Sequence, residues 1–579
     1  MKKLSKKFKV FLVVILLGAG GLFTVSFSDD YFEVSRNLDI FATLFRELNI
    51  YYVDETKPGD LMKTGIDAML ESLDPYTNYI PESEIEDYRF MTTGQYGGIG
   101  ALIGQKGDFV VVTDPYEGFP AQKADIRAGD IIMAIDSKSV KGKKYDDISK
   151  ILKGQPKTPV KLNIKREGEK DLIEKTVMRD EIKIDNVPYH GMLDNGIGYI
   201  KLTGFTDNAA QEVRDAVLDL KSKEQLKGLI LDLRGNPGGL LNEAVNIVNL
   251  FVNKGVDVVS TKGKVKEWDK LYKAINTPVD TDVPLAVLVN SGSASASEIV
   301  SGSIQDLDRG LIIGQRTFGK GLVQTTRPLT YNSQLKVTTA KYYIPSGRCI
   351  QALDYTHRND DGSVGKIPDS LISEFKTKSG RMVYDGGGVM PDNVTEQQLL
   401  SSIAQSLITK FLLFDYATIY RQKHESIAPA RGFRLTDMEY DEFIKWLTDK
   451  EYDYTTKSEK ALEDLKTNAE KEKYFSAVTS EYDALKKKMM HDKNSDLIKN
   501  KVEIKELLQD EIVSRYYYQN GRIEASFDYD PDVKKATEAL KDKSVYAQIF
   551  NRPAVKNIPD KSDKPDKSDK SGKYEKSDK

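Results

Sequence analysis

Apolar positions recur at different spacings along this chain, and each spacing predicts a different kind of element. From Tyr31 to about Tyr88 they recur at helical intervals. Ile40, Phe41, Leu44, Phe45 and Leu48 share one face, and Leu61, Ile66, Met69, Leu70 and Leu73 repeat the pattern before an LDPYTNYIP turn at 73–81. From Gly94 to about Arg179 short β-type runs take over. Phe109–Val112, Asp130–Ile135 and the alternating Val160–Ile164 predict strands, with a helix at Tyr145–Leu152 between the last two.

From Glu181 to about Pro391, continuous apolar runs lead into helical periods. Ile197–Leu202 precedes a helix at Asn208–Lys221, Gly228–Leu233 one at Leu240–Val252, and Pro284–Asn290 one near Ala294–Gln305. Unbroken apolar strands feeding helices predict an α/β core around a buried, largely parallel sheet. From about Glu396 to Phe550 the chain is highly charged with helical period, clearest at Gln397–Tyr420 and Tyr440–Thr448. The last residues, DKSDKPDKSDKSGKYEKSDK, hold too few apolar groups to offset ordering entropy and predict a disordered tail.

The start of the chain reads as a targeting segment. Five lysines lie within residues 1–9 and an apolar run follows from Val10 to about Val25. A cationic stretch before an apolar one marks export. Small residues Ser26 and Ser28 suit cleavage, while the length of the run suits a retained single anchor equally well. Either way, the remaining chain is expected on the non-cytoplasmic side, in the periplasm or cell envelope.

Composition narrows the chemistry. With 579 residues, a net charge of −3, 39% hydrophobic and 30% charged residues, the chain reads as several soluble domains without a nucleic-acid footprint. One cysteine, Cys349, excludes an intramolecular disulfide framework and a multi-cysteine metal site. The four histidines, His190, His357, His424 and His491, are scattered, which argues against a histidine-rich metal centre.

Three glycine- or serine-rich turns are candidates for chemistry. Gly235-Asn-Pro-Gly-Gly239 follows a strand and opens a helix, where backbone N–H groups and a positive dipole end are exposed. No Lys-Ser/Thr follows, so it is no nucleotide P-loop. Asn290-Ser-Gly-Ser-Ala-Ser-Ala-Ser-Glu298 also runs from strand to helix and offers four alternating serines, among which this pattern does not choose. In Gly314-Gln-Arg-Thr-Phe-Gly-Lys-Gly321 a lysine stands between two glycines. Taken singly, each is equally an ordinary turn, a capped helix start or a hairpin. A serine nucleophile needs a base, and no histidine is near these segments in sequence. An unperturbed lysine, pKa about 10.4, spends roughly 4.6 kcal/mol to reach its neutral form at pH 7. Burial shifts lysines down by about 3–5 units, which closes that gap.

Together the stretches LDPYTNYI (73–80), GGIGALI (97–103), ADIRAGDIIMAIDSKSV (124–140), GLILDLRGNPGGLL (228–241), NSGSASASEIVSG (290–302), GQRTFGKGLVQ (314–324) and GGGVMPD (386–392) resemble the C-terminal processing peptidases, or tail-specific proteases, in family order over about residues 40–395. The resemblance implies a multidomain α+β protein. Its parts would be a targeting segment (1–30), an N-terminal helical segment (31–87), an inserted β-rich PDZ domain (88–180), an α/β peptidase core (181–395), a helical C-terminal region (396–555) and the charged tail (556–579).

It also implies an exported serine endopeptidase that recognises polypeptide C-termini and cleaves through an acyl-enzyme. Ser295 would be the nucleophile, Lys320 the base and Gln324 the residue that orients the lysine. The oxyanion donors would be the N–H of Ala296 and one in Gly238-Gly239. The loop Gly97-Gly98-Ile99-Gly100 would receive a substrate's terminal carboxylate, its N–H groups forming a nest. No metal or organic cofactor is implied, and none of the four histidines is catalytic in this reading. The partners expected are polypeptides with free C-termini, with a homo-oligomer left open. A non-catalytic PDZ peptide-binding scaffold is the alternative, and the presence of Ser295, Lys320 and Gln324 speaks against it. The region after 396 has no residue-by-residue counterpart, and substrate arm, dimerisation surface and partner platform all remain open for it.

Overall fold

The structure, a computed structural model, describes residues 31–223, 225–359, 361–452, 454–489 and 493–550. The targeting segment expected at 1–30 and the charged tail expected at 556–579 lie outside the described residues. The chain forms two compact units, one up to Tyr79 and one from Ile80 onward. Among the described residues no helix is long and apolar enough to cross a membrane.

The first unit is helical. A helix over 31–51 is followed by Pro58–Glu71, which starts on proline as first turns favour. The LDPYTN turn is built on Asp74, whose buried carboxylate accepts the N–H groups of Tyr76 and Thr77 at 2.8 Å and the Thr77 hydroxyl at 3.0 Å.

In the second unit, strands Ala101–Lys106, Phe109–Pro115, Ile131–Ile135, Pro159–Lys165 and Ile173–Met178 form an antiparallel sheet in the order first, second, third, fourth, fifth. Its inward residues, Val110, Val112, Ile132, Val160, Leu162 and Ile164, are fully buried and meet Ile148 and Leu152 of the helix Tyr145–Leu152. Two residues four apart on a helix share a face, so this short helix needs only that pair to dock. The module is joined to the rest by a neck, Gln95–Gly98 paired antiparallel with Asp180–Lys183.

The next sheet runs Tyr189–Met192, Ile197–Lys201, Gly228–Asp232, Leu285–Val289, Leu311–Gly314, Asn393–Val394; the first pair is antiparallel and the rest parallel. Helices Ala209–Lys223, Leu241–Phe251 and Ala296–Asp306 cover one face, where Leu229, Leu231, Val287 and Ile312 point. The other face carries Ile230, Leu288 and Ile313 and is covered by Val533, Ala536, Ala539 and Leu540 of the helix Pro531–Lys541. Sequence patterning separates the core at 395 from the helices after it. In the fold this late helix closes the sheet, because a parallel sheet with two apolar faces needs cover on both. A second sheet beside the core contains the hairpin Leu322–Pro328 and Gln334–Tyr343.

Helices Ser402–Thr409, Leu412–Lys423, Asp437–Leu447 and Lys501–Ser526 pack around Leu407, Tyr416, Tyr440, Phe443, Leu508 and Ile512. Where one helix is expected over 397–420 there are two, Ser402–Thr409 and Leu412–Lys423, broken at Phe411 with φ 60°. Both halves keep the helical period, so periodicity alone hides the break; burial of Leu407 on one half and Leu412, Leu413 and Tyr416 on the other decides it. The helix expected at 440–448 begins earlier, at Asp437, because Thr436 and Glu439 form a capping box. The antiparallel module is held to these helices by the ion pair Lys106–Asp415 at 2.5 Å and by Gln122 donating to the Tyr518 hydroxyl at 2.9 Å.

Candidate active site

The site begins where two parallel strands end side by side. After Gly228–Asp232 the chain turns through Gly235-Asn-Pro-Gly-Gly239, and after Leu285–Val289 it turns through 290–295. Short polar side chains sew these turns together. Asn290 Oδ1 accepts the N–H of Gly235 at 2.9 Å. The Ser293 hydroxyl donates to the Leu233 carbonyl at 2.8 Å, and the Ser297 hydroxyl to the Asn236 carbonyl at 2.9 Å. Asn236 is itself buried and donates to the Leu202 carbonyl at 2.9 Å.

Ser295 is the last residue before the helix Ala296–Asp306 and holds φ 54°, ψ −110°. A serine in such a conformation is strained, and strain of this kind gathers at functional sites. The bend turns Ser295 into a cleft of about 570 Å³ that Ala296, Gly238, Gly239, Lys320 and Gln324 also line. Gly238, at φ 99°, comes so near that a Cβ on it would stand 2.7 Å from the Ala294 carbonyl and 2.8 Å from the Ala296 nitrogen. Only glycine fits there.

Glu298 fastens the site. Its carboxylate is fully buried and accepts four donors: the Ser295 N–H and the Lys320 N–H on Oε2, each at 2.8 Å, and the Gly319 N–H at 2.7 Å and the Thr317 hydroxyl at 2.6 Å on Oε1. Burial pushes the Glu298 carboxyl up, and these donors work against that rise. Thus one side chain ties the helix start that carries Ser295 to the loop that carries Lys320. The spacing Ser295-x-x-Glu298 is a capping-box signature readable in the sequence; its reach to 317–320 is not.

Of the expected oxyanion donors, the Ala296 N–H lies at the first helical position, outside the intrahelical ladder. Gly238 must be corrected: its N–H donates to Asn236 Oδ1 at 2.9 Å, so it is engaged. The Gln324 amide donates to the Thr338 hydroxyl at 3.1 Å. Among the described residues no histidine lines the cleft. His190 pairs with Asp219, His357 with Asp354, and His424 stacks on Tyr420, while His491 lies outside the described residues.

The four-residue glycine loop departs from the expected nest. Gly97 and Gly98 are strand residues in register with Glu181 and Asp180, and Ile99 is 3% exposed in the core. Gly100 alone is left-handed, at φ 72°. A nest needs successive turned residues, and the neck ladder forbids them at Gly97 and Gly98. Gly97 serves close packing: a Cβ there would lie 2.1 Å from the Gly154 carbonyl oxygen. Next to it, Ala101–Lys106 pairs on one side only among the described residues and so forms a strand edge of its sheet.

Below the glycine turn, the chain links to the late helix. Arg234 bonds to Asp232 at 2.7 Å and to Asp530 and Asp532 at 2.7 and 3.0 Å, and Lys201 stands 3.2 Å from Asp232. Burial acts to raise the Asp232 carboxyl, but the Arg234 guanidinium and the Lys201 ammonium outweigh it and hold the group well below the usual carboxylate range.

The peptidase family S41 profile matches residues 196–357, a PDZ domain profile 111–166, and the profile "probable PDZ-protease, C-terminal helical domain" 403–540. A carboxy-terminal-processing protease of Bartonella bacilliformis is 38% identical over 324 residues, 55% of this chain and 74% of that one. A probable CtpA-like serine protease of Staphylococcus aureus is 37% identical over 321 residues, 54% of this chain and 62% of that one. Among solved structures, a photosystem II D1 C-terminal processing protease is similar at 29% identity, covering 62% of this chain and 93% of its own, with a TM-score of 0.32. The chain belongs to the carboxy-terminal-processing proteases of peptidase family S41. It is a serine peptidase with a PDZ domain and a helical C-terminal domain.

Proposed function

We propose that this protein is an exported endopeptidase that reads polypeptide C-termini through its PDZ domain and cleaves by a Ser–Lys dyad. The observation that carries the reading is the joint attachment of Ser295 and Lys320 to one Glu298 oxygen at the wall of a single cleft. Ser295 Oγ attacks the scissile carbonyl and its proton passes to the Lys320 amine. The Ala296 and Gly239 N–H groups stabilise the oxyanion, commonly the largest part of such catalysis. Collapse of the tetrahedral species protonates the leaving amine from Lys320 and leaves an acyl-serine, which water then hydrolyses with Lys320 again taking the proton.

The strand edge Ala101–Lys106 beside the helix Tyr145–Leu152 supports recognition by strand addition, with the terminal carboxylate near Gly100. Carboxy-terminal processing, the activity in the Bartonella relative's name, agrees with that reading. The lysine-flanked apolar start of the sequence supports export and a place in the periplasm or envelope. The test is cleavage of a model polypeptide, in acid and C-terminally amidated forms, by the full chain and by Ser295→Ala and Lys320→Ala. Loss of turnover in both variants, with amidation weakening processing about 5- to 150-fold, is expected. Turnover surviving in Ser295→Ala would move the nucleophile elsewhere.

A further inference from the structure

A second lysine stands in the same cleft. In the hairpin, Gln324 is paired with Thr338 and Thr326 with Lys336. Directly opposed residues and residues two apart share a face of a sheet, so Gln324, Thr338, Thr326 and Lys336 all face one way. The Gln324–Thr338 side-chain bond marks that face, and Lys336 lines the cleft with Ser295, Lys320 and Gln324. The Lys336 ammonium is only partly exposed and has no hydrogen bond or ion pair among the described residues. The other charged side chains lining the cleft are Lys320 and the exposed Asp185. Burial pushes the Lys336 ammonium down. A partly buried cation without a counter-ion is costly, and a ligand anion relieves that cost.

We infer that Lys336 is the floor of a subsite that takes a substrate carboxylate close to the scissile bond. The inference rests on the peptidase reading and names a substrate class for it. Lys336 lies one two-residue repeat, about 7 Å, along the strand from Thr338. Lys336 and Ser295 line one cleft, so an extended substrate held there presents to Lys336 a residue near the cut. The carboxylate is either an Asp or Glu side chain or the substrate's own C-terminus a few residues beyond the cut.

The experiment uses the full chain and one quenched-fluorescent peptide with a single cleavage point. The reference form has Gln around the cut and an amidated end. A second series places Glu, one position at a time, on either side of the cut, and a third form ends in a free carboxylate three residues past it. We expect kcat/KM to rise about 10- to 100-fold for one Glu position or for the free end, which tells the two sources apart. The ratio should fall to near one in Lys336→Met and persist in Lys336→Arg. Equal kcat/KM for all forms in the wild type would overturn the subsite, and so would a preference that survives in Lys336→Met; the wild-type comparison needs no variant to fold. Peptide Kd ratios measured on Ser295→Ala by anisotropy read the subsite without turnover. Absent cleavage therefore sinks the peptidase reading, and equal Kd values sink the subsite.

Discussion

Ser295 and Lys320 donate their backbone N–H groups to the same oxygen, Glu298 Oε2, each at 2.8 Å. The relative position of the candidate nucleophile and base is therefore set through a third residue. Glu298→Gln removes the charge and replaces one acceptor oxygen by a donor, facing two groups that also donate. We expect a fall in kcat of more than tenfold with little change in KM, and a lower unfolding midpoint, at about 1–3 kcal/mol for each buried donor left unpaired. Unaltered kcat in a folded Glu298→Gln would show that the tie is dispensable.

The serines of the loop should separate by burial. Ser293 and Ser297 are fully buried and donate to carbonyls of the neighbouring turn, whereas Ser291 is exposed. Alanine at 293 or 297 should each cost about 1 kcal/mol or more, and alanine at 291 close to nothing. Thermal unfolding of the three variants checks this order.

The Arg234 cluster should make the protein acid-sensitive. Asp232 has a folded pKa below its unfolded value, so its stabilising contribution is present above about pH 4 and is lost as pH falls through the lower folded value. Arg234→Met would leave Asp530 and the buried Asp532 without their Arg234 partner and Asp232 with Lys201 alone, at about 3–5 kcal/mol. Unfolding midpoints between pH 3 and 7 should show a shallower acid limb in that variant while falling throughout, because Lys201 still pairs with Asp232.

Asp510 behaves in the opposite sense. Burial is the main cause that raises it to about 7, with Glu511 and Glu506 adding to the rise and the Tyr529 hydroxyl and Arg522 opposing it. A raised folded pKa gives stability that is full below the unfolded value of about 3.9 and is lost as pH rises through about 7. The loss by pH 9 is on the order of 4 kcal/mol, at 1.36 kcal/mol per unit. Asp510→Asn should flatten this loss, of which about 2.7 kcal/mol falls between pH 5 and pH 9, read as the difference in denaturant midpoint between those two pH values.

Gly97 tests the neck. Its substitution by alanine sets a Cβ against a backbone oxygen that cannot turn aside. We expect Gly97→Ala to loosen the junction between the PDZ domain and the peptidase domain, seen as faster proteolytic nicking around 95–98 and 180–183. Nicking equal to the wild type would show that the junction absorbs the extra carbon.

Local pattern determined much of this protein. The strand at Gly228–Asp232, the helices at Tyr145–Leu152 and Leu241–Phe251 and the Asp74 turn all follow from spacing and short-range capping, which a linear sequence displays directly. The loops bearing Ser295 and Lys320 were also legible, as glycine- and serine-rich turns at element ends. Only the tertiary structure decided what those turns do to one another. Glu298 reads as a helix cap until folding brings 317–320 against it, and Gly238 reads as an oxyanion donor until Asn236 takes its N–H. The helix Pro531–Lys541 looks like part of a separate region until it covers the far face of the peptidase sheet. The Gly97–Gly98 pair looks like a nest until Asp180–Lys183 pairs with it as a strand. Periodicity reports which face of an element is apolar and is silent about what will cover it. Hydrogen-bond partners far apart in sequence are chosen by burial, where an unmet donor is too costly to leave.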